Sequence, residues 1–196
     1  MASFRAIAAV SRAMLRLLED SCPRAEFPDA QYELQQTLDA SKAVIAEGIT
    51  LCLYRVTVNA SCRNLPPRTG LDGRRFKPAI PLDLHYAVCA WGRSPDVQQR
   101  LFGHAIRTLE DTPILPASLL NGHGPEPSIF ATAETVELVC DPVSLQDLNA
   151  LWEIQKPNVP LTLTYAARMV FVDSDVVISE GRPVQVRAFD MSGGLP

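Results

Sequence analysis

The chain has 196 residues, of which 47% are apolar, 20% charged and 7% aromatic, a composition that excludes disorder and collagen-like structure and fits one hydrophobic core. Its 18 basic and 22 acidic residues sum to −4 with histidine neutral, so the chain as a whole lacks the positive field of a non-specific nucleic-acid binder. Its 16 prolines against 10 glycines point to rigid connections, because proline cannot donate to a ladder and sits at element ends.

The first residues carry Arg5, Arg12 and Arg16 with no acid before Glu19. This superficially suggests a transit peptide, but the arginines interrupt any signal-like apolar core. Phe4, Ile7, Ser11, Met14, Leu15 and Leu18 fall at helical spacing, which predicts an amphipathic first helix capped by Ser3. Pro23 and Pro28 end that region. Tyr32, Leu34, Gln36 and Leu38 alternate weakly as a short edge strand, residues 39–47 could form one helical turn or two, and Gly48 breaks the pattern. Residues 49–59 (ITLCLYRVTVN) are rich in β-branched and aromatic side chains with apolar residues on both faces, which predicts a strand inside a sheet.

Residues 63–78 (RNLPPRTGLDGRRFKP) read as a loop. It is basic: Arg63, Arg68, Arg74, Arg75 and Lys77 are opposed only by Asp72, so the rest of the chain is more acidic than the total implies. Residues 80–91 alternate as a second long strand. Ser94-Pro95-Asp96 then has the order of an N-cap, a first helical proline and a first-turn acid. The helix it opens runs to Asp111 with Val97, Leu101, Phe102, Ala105, Ile106 and Leu109 on its apolar side. Residues 112–128 read as a connection bearing Pro113, Pro116, Gly122, Gly124, Pro125 and Pro127. A short strand at 135–140 precedes a helix opened by Ser144-x-x-Asp147, carrying Leu145, Leu148, Leu151 and Trp152 and stopped by Pro157. Residues 161–172 read as a third long strand, and 183–189 could add a last one. Helices thus interleave irregularly with strands, which predicts an α+β fold: a mixed, mostly antiparallel sheet flanked by helices. One domain is expected over residues 1–190, with 191–196 as a short flexible tail.

No sequence pattern points to catalysis. Nucleophile-elbow, phosphate-loop, dinucleotide-binding and zincin motifs are lacking. His85 and Cys89 lie on a predicted strand about 13 Å apart at roughly 3.3 Å per residue, too far to share a metal. His104 and His123 join no ligand cluster. The five cysteines (Cys22, Cys52, Cys62, Cys89 and Cys140) are odd in number and irregularly spaced, as expected of reduced, mostly buried thiols in a cytoplasmic protein. No catalytic, cofactor-binding or metal residue is therefore expected, and no membrane span. The basic segment remains: Arg63, Asn64, Arg68, Arg74, Arg75 and Lys77 are the candidate interface. A polarised surface of this kind can pair with an acidic surface on another copy, as in a head-to-tail ring.

The run Leu53-Tyr54-Arg55-Val56-Thr57-Val58-Asn59, followed by Arg63-Asn64, resembles a segment of a family forming the N-terminal part of the cap, or tube terminator, of extracellular contractile injection systems of the antifeeding-prophage type. The amphipathic start, the strand around Pro81 to Tyr86, the helix around Leu101 to Leu109, Leu151-Trp152 and the strand from Leu161 follow in the same order. The resemblance covers residues 7–189. Two departures stand out: Val58 occupies a position where an acid often precedes the asparagine, and longer members carry an additional C-terminal domain. The resemblance implies a fold similar to phage tail terminators. It further implies a non-enzymatic protein that forms a hexameric ring on the inner tube, stops tube growth and joins tube to sheath, with itself, tube and sheath subunits as partners and no nucleic acid or membrane. The rival readings are a small cytoplasmic enzyme using Cys or His and a monomeric adaptor.

Overall fold

The computed structural model describes residues 2–36, 45–70, 72–122, 128–153 and 160–178. Among these residues four α-helices and eight strands occur in the order α1 (Ala6–Asp20), β1 (Gln31–Gln35), β2 (Gly48–Val58), β3 (Arg68–Thr69), β4 (Arg75–Phe76), β5 (Ile80–Trp91), α2 (Pro95–Asp111), β6 (Ile114–Pro116), α3 (Ala117–Asn121), β7 (Thr135–Cys140), α4 (Leu145–Glu153) and β8 (Leu161–Val172). Six strands form one sheet in the order β1-β2-β5-β8-β7-β6. Among the described strands only the β1–β2 pair is parallel. The α+β, mostly antiparallel architecture expected from the sequence is thus the one observed.

The three long strands β2, β5 and β8 are neighbours because each is apolar enough to be buried. Leu51, Leu84, Tyr86, Val88, Ala167 and Val170 line the face beneath α1 and α2, where Val10, Met14, Leu18, Leu101 and Leu109 meet them in one core. Ser11, which shares the apolar stripe of α1, bonds the buried Tyr86 hydroxyl at 2.8 Å. That partner explains a polar residue in a core position. Phe4 departs from its expected place on the stripe: it is 73% exposed, because the helix starts only at Ala6 and Ala6 and Ala9 take the buried positions. Ser3 does not cap this helix by its side chain; its hydroxyl accepts from the Arg5 amide at 3.3 Å, and Arg5 is the N-cap.

The helix α2 follows its sequence signals closely. Ser94 Oγ accepts from the Val97 amide at 3.3 Å, with Pro95 in the first turn. At α4, Ser144 Oγ accepts from the Asp147 amide at 3.1 Å and donates to its carboxylate at 2.7 Å, so the serine caps the helix while the shorter aspartate meets the serine hydroxyl in place of the backbone amide that completes a capping box. Leu145, expected on the apolar side of α4, is 70% exposed, as the residue directly after the cap. The side chains of Leu151 and Trp152 lie outside the described residues.

Residues 112–128 are more than a connection. They contain β6, paired with β7, and the single-turn α3, anchored where the Asn121 side chain exchanges two 2.9 Å hydrogen bonds with the backbone of Phe130. Prolines at 113 and 116 obscure so short a strand in the sequence. The possible helical turns at 39–47 fall mostly outside the described residues, as do the strand at 183–189 and the tail at 191–196.

The opposite face of the sheet is lined by small residues, with Cys52, Ala87 and Cys89 clustered against Tyr54. All five cysteines are free, and Cys22, Cys52 and Cys89 are buried. Burial pushes the thiols of Cys52 and Cys89 up to about 11, because a thiolate there would lose its solvation. The unfolded chain releases these protons near the ordinary value of 9.0. Between 9 and about 11 the folded state therefore holds more protons, and stability present below that window is lost as pH rises through it. Urea midpoints measured across the window are expected to fall less steeply for the Cys52→Ala, Cys89→Ala double variant than for the parent chain. Equal slopes would show that the two thiols do not carry the effect.

Candidate assembly surface

Residues 63–78 are built outward from a hydrogen-bonded root. Asn59, at the end of β2, is 7% exposed. Its amide donates to the Pro81 carbonyl at 2.9 Å, its Nδ2 donates to Asp83 Oδ2 at 2.9 Å, and its Oδ1 accepts from the Ser61 amide at 3.0 Å. The last of these bonds starts the short 3₁₀ turn Ala60–Cys62. Asp83 Oδ1 in turn accepts from the amide of Met169 at 3.1 Å. Met169 sits at φ +60, where β8 bulges against β5. One asparagine and one aspartate therefore tie together the end of β2, β5 and the irregularity in β8.

The basic segment itself is a β-hairpin rather than a loop. Arg68 faces Phe76 and Thr69 faces Arg75 across β3 and β4. The turn uses Gly73 at φ +76, a conformation that favours glycine, and is closed by bonds from Gly70 N to Arg74 O at 2.8 Å and from Gly73 N to Gly70 O at 3.0 Å. The chain after β8 returns along it through an isolated bridge. Lys77 N donates to Val176 O at 2.9 Å, Val177 bridges Phe76, and Ile178 N donates to Arg75 O at 2.8 Å. Three prolines in the segment and strands of two residues hide this hairpin from period-based reading.

The hairpin does not present all its cations alike. Arg68 is half-buried: its guanidinium lies over the Phe76 ring at 4.6 Å, and its Nε is 3.7 Å from Asp173 Oδ1. It pins the returning chain to the hairpin. Arg74 is ion-paired with Asp72, and that hydrogen bond holds the Asp72 carboxyl below its ordinary range. Arg63, Asn64, Arg74, Arg75 and Lys77 are exposed. The structure thus places Arg68, Arg74 and Arg75 in the hairpin, Lys77 directly after it and Arg63 and Asn64 in the segment that leads into it, with Arg68 turned partly inward. Phe76, Asp173 and residues 176–178 complete the surface; of these only Phe76, a lone aromatic among cations, stands out in the sequence.

A second constellation lies on the small-residue face. His85 Nδ1 is 3.0 Å from Asp141 Oδ2, and its Nε2 is 3.1 Å from Thr57 Oγ1. The order acid, histidine, hydroxyl is that of a nucleophile relay. Thr57, however, pairs with Asp83 in the β2–β5 ladder, so its backbone is committed to the sheet rather than turned toward a developing oxyanion. The three residues act as a clamp from β2 across β5 to the end of β7. Cys89, four residues along β5, faces Thr162 instead, with Sγ 3.4 Å from its Oγ1. Among the described residues no three His, Cys, Asp or Glu side chains are grouped to hold a metal, and no helix is long and apolar enough to cross a membrane.

The sequence profile of the Pvc16 N-terminal domain matches residues 9–186. The chain belongs to that family. No curated protein matches it in sequence. Among solved structures, the fold of this Pvc16 N-terminal domain is similar to the sheath/tube terminator of an extracellular contractile injection system, PVC, seen by cryo-electron microscopy in the extended state. The match has a TM-score of 0.62 at 16% identity and covers 96% of this chain and 64% of that one. It is also similar to the tube-terminating cap of the anti-feeding prophage, with a TM-score of 0.53, 16% identity, and coverage of 92% and 59%. The chain spans less than two thirds of the length of either. Membership in this family and the terminator fold are what the run from Leu53 to Asn59 implied. In the structure that run is the second half of β2 and the anchor of the basic hairpin.

Proposed function

We propose that this Pvc16 N-terminal domain is a structural subunit of the cap of a contractile injection particle, forming a ring, expected to be a hexamer, that ends inner-tube growth and joins tube to sheath. The observation that supports this reading most is that almost the entire chain follows the fold of a sheath/tube terminator while also matching the Pvc16 family profile. A terminator needs no chemistry. It must match the last tube ring on one face and refuse a further ring on the other. Consistent with a non-enzymatic role, the hydrogen-bonded His85 clamp holds shape and the hairpin presents exposed charge. Residues 1–190 act as one domain in this reading, and the particle assembles in the cytoplasm from self, tube and sheath contacts without nucleic acid or membrane.

The hairpin is the proposed contact. Exposed Arg63, Arg74, Arg75 and Lys77 would meet acidic surface on a neighbouring copy or on tube or sheath subunits, where charge complementarity fixes register and speeds encounter. Reversal of Arg74 and Arg75 to glutamate is expected to weaken ring formation or cap attachment by about tenfold or more, with the parent interaction itself weakening as salt rises. Native mass measurement and electron microscopy of the assembled particles would read the effect; rings and caps that form unchanged would overturn the assignment of the hairpin.

A further inference from the structure

A cavity of about 260 Å³ opens at the end of the sheet where β7 begins and β8 finishes, walled by Phe130, Ala133, Glu134, Thr135, Met169 and Phe171. Its place follows from strand alternation. Val136, Leu138 and Val170 are buried in the core, so Thr135 and Glu137 on β7 and Phe171 on β8 turn away from it. The walls are largely apolar, but carboxylates adjoin them. Glu134 lines the cavity with its Oε2 accepting from the Ala131 amide at 2.5 Å, and Glu137 stands exposed two residues along β7 from Thr135. Two phenylalanines, a methionine and neighbouring carboxylates suit a long cationic side chain. Its methylene stem would lie on the apolar walls while its head meets aromatic faces and carboxylate.

The hairpin carries such side chains on one of its sides. Phe76 faces Arg68 across β3 and β4 and bridges Val177, so Arg75 and Lys77, its neighbours along the chain, project from the opposite side with Thr69 and Val176. Two residues of rise set them about 7 Å apart. Val176, 54% exposed, adds apolar surface beside Lys77. Lys77 is itself exposed, and among the described residues it has no ion partner. Position agrees with charge. The hairpin joins β2 to β5, whereas the cavity lies further across the sheet order, at β8 and β7. Both are at the same end of the strands, because β8 finishes at Val172 opposite Ile80, where β5 starts. Two different surfaces on separate sides of one subunit make a head-to-tail contact, the kind that closes a ring. We propose that the cavity receives Lys77 of a neighbouring copy, with its ammonium at Glu134 and with Arg75 on Glu137. The inference rests on the ring reading above and gives the hairpin its acidic acceptor.

The native side chains allow a direct test, because Lys77 is one of three lysines in the chain, with Lys42 and Lys156. Two preparations of the full chain of different isotopic mass are mixed at low salt and treated with a carbodiimide, which joins an amine to a carboxylate in contact with it. The reagent should link Lys77 of one mass to Glu134 or Glu137 of the other, in species of ring mass. Charge exchange supplies a second readout. Arg75→Glu and Glu137→Lys should each weaken association about tenfold, and the two together should recover it to within about threefold of the parent. Arg168 lies opposite Glu137 in the ladder and opposes the arriving cations, so Arg168→Gln should tighten association; no gain would place the contact elsewhere. Links within a single mass would mean that the hairpin seats in its own cavity and would overturn the contact between copies. Rings of full mass without the link, or exchange without recovery, would overturn this acceptor and leave the ring reading standing. Absence of both rings and links in the parent chain would overturn the two together.

Discussion

Replacing Gly48 with alanine is expected to detach β1 and lower stability by about 3 kcal/mol or more. Gly48 opens β2 at φ +142, a conformation L side chains rarely adopt, and an added Cβ would sit 1.9 Å from the Gln31 carbonyl oxygen and 2.7 Å from its nitrogen. Both are backbone atoms of the paired strand. Gln31 N donates to Glu47 O at 3.0 Å and Gln31 pairs with Gly48 in register, so relief requires β1 to move away as a unit. The loss would spread, because β1 covers the first half of the β2 edge and carries Tyr32 and Leu34, which lie beside the core and a groove walled by Ile7 and Leu51. Gly103 gives the opposite result. It lies inside α2, and a Cβ there meets nothing within 4 Å. Gly103→Ala should therefore stabilise by about 0.5–1 kcal/mol through helix propensity alone. Urea unfolding of the two variants beside the parent separates the cases by sign. A neutral Gly48→Ala would mean that β1 contributes little to the fold.

The contrast between these glycines shows what kinds of information the sequence carries. Gly48 reads plainly as a break before a strand, and the long strands and α2 are legible because their signals are local: β-branched runs, alternation, and Ser94-Pro95-Asp96 in cap order. The hairpin β3–β4, β6 and α3 are not legible, since two to five residues carry no period and the neighbouring prolines argue the other way. For the candidate surface, the cluster of cations is visible in composition, whereas the inward turn of Arg68 depends on Phe76 and on Asp173, which lies about a hundred residues further along the chain. Phe4 and Leu145 mark the same limit. Each sits at a helix start, where a helical period drawn through the sequence does not yet describe the backbone.

Asn59→Ala is expected to have the second large effect, and one that reaches the proposed surface. The substitution leaves Asp83 Oδ2 without its 2.9 Å donor and the Ser61 amide without its 3.0 Å acceptor. Both sit at the root of the hairpin, where solvent replaces the lost partners poorly because Asn59 is buried. Loss of a hydrogen bond to a charged group together with a stranded buried partner amounts to about 2–3 kcal/mol. Asp83→Ala should cost a similar amount, since it also releases the Met169 amide held at φ +60 in the β8 bulge. Because the two residues share one interaction, the double variant should be about 1 kcal/mol or more less destabilised than the sum of the singles. Hydrogen exchange adds a local readout: the amides of Ser61 and Met169 should lose protection while those of the β5–β8 ladder keep theirs. If the energies simply add and exchange at Met169 is unchanged in Asp83→Ala, the two residues do not form a common anchor. If they couple as expected, the orientation of Arg63, Arg74, Arg75 and Lys77 is set by a buried asparagine at the root of the hairpin, and cap assembly should weaken in Asn59→Ala although every exposed cation is retained.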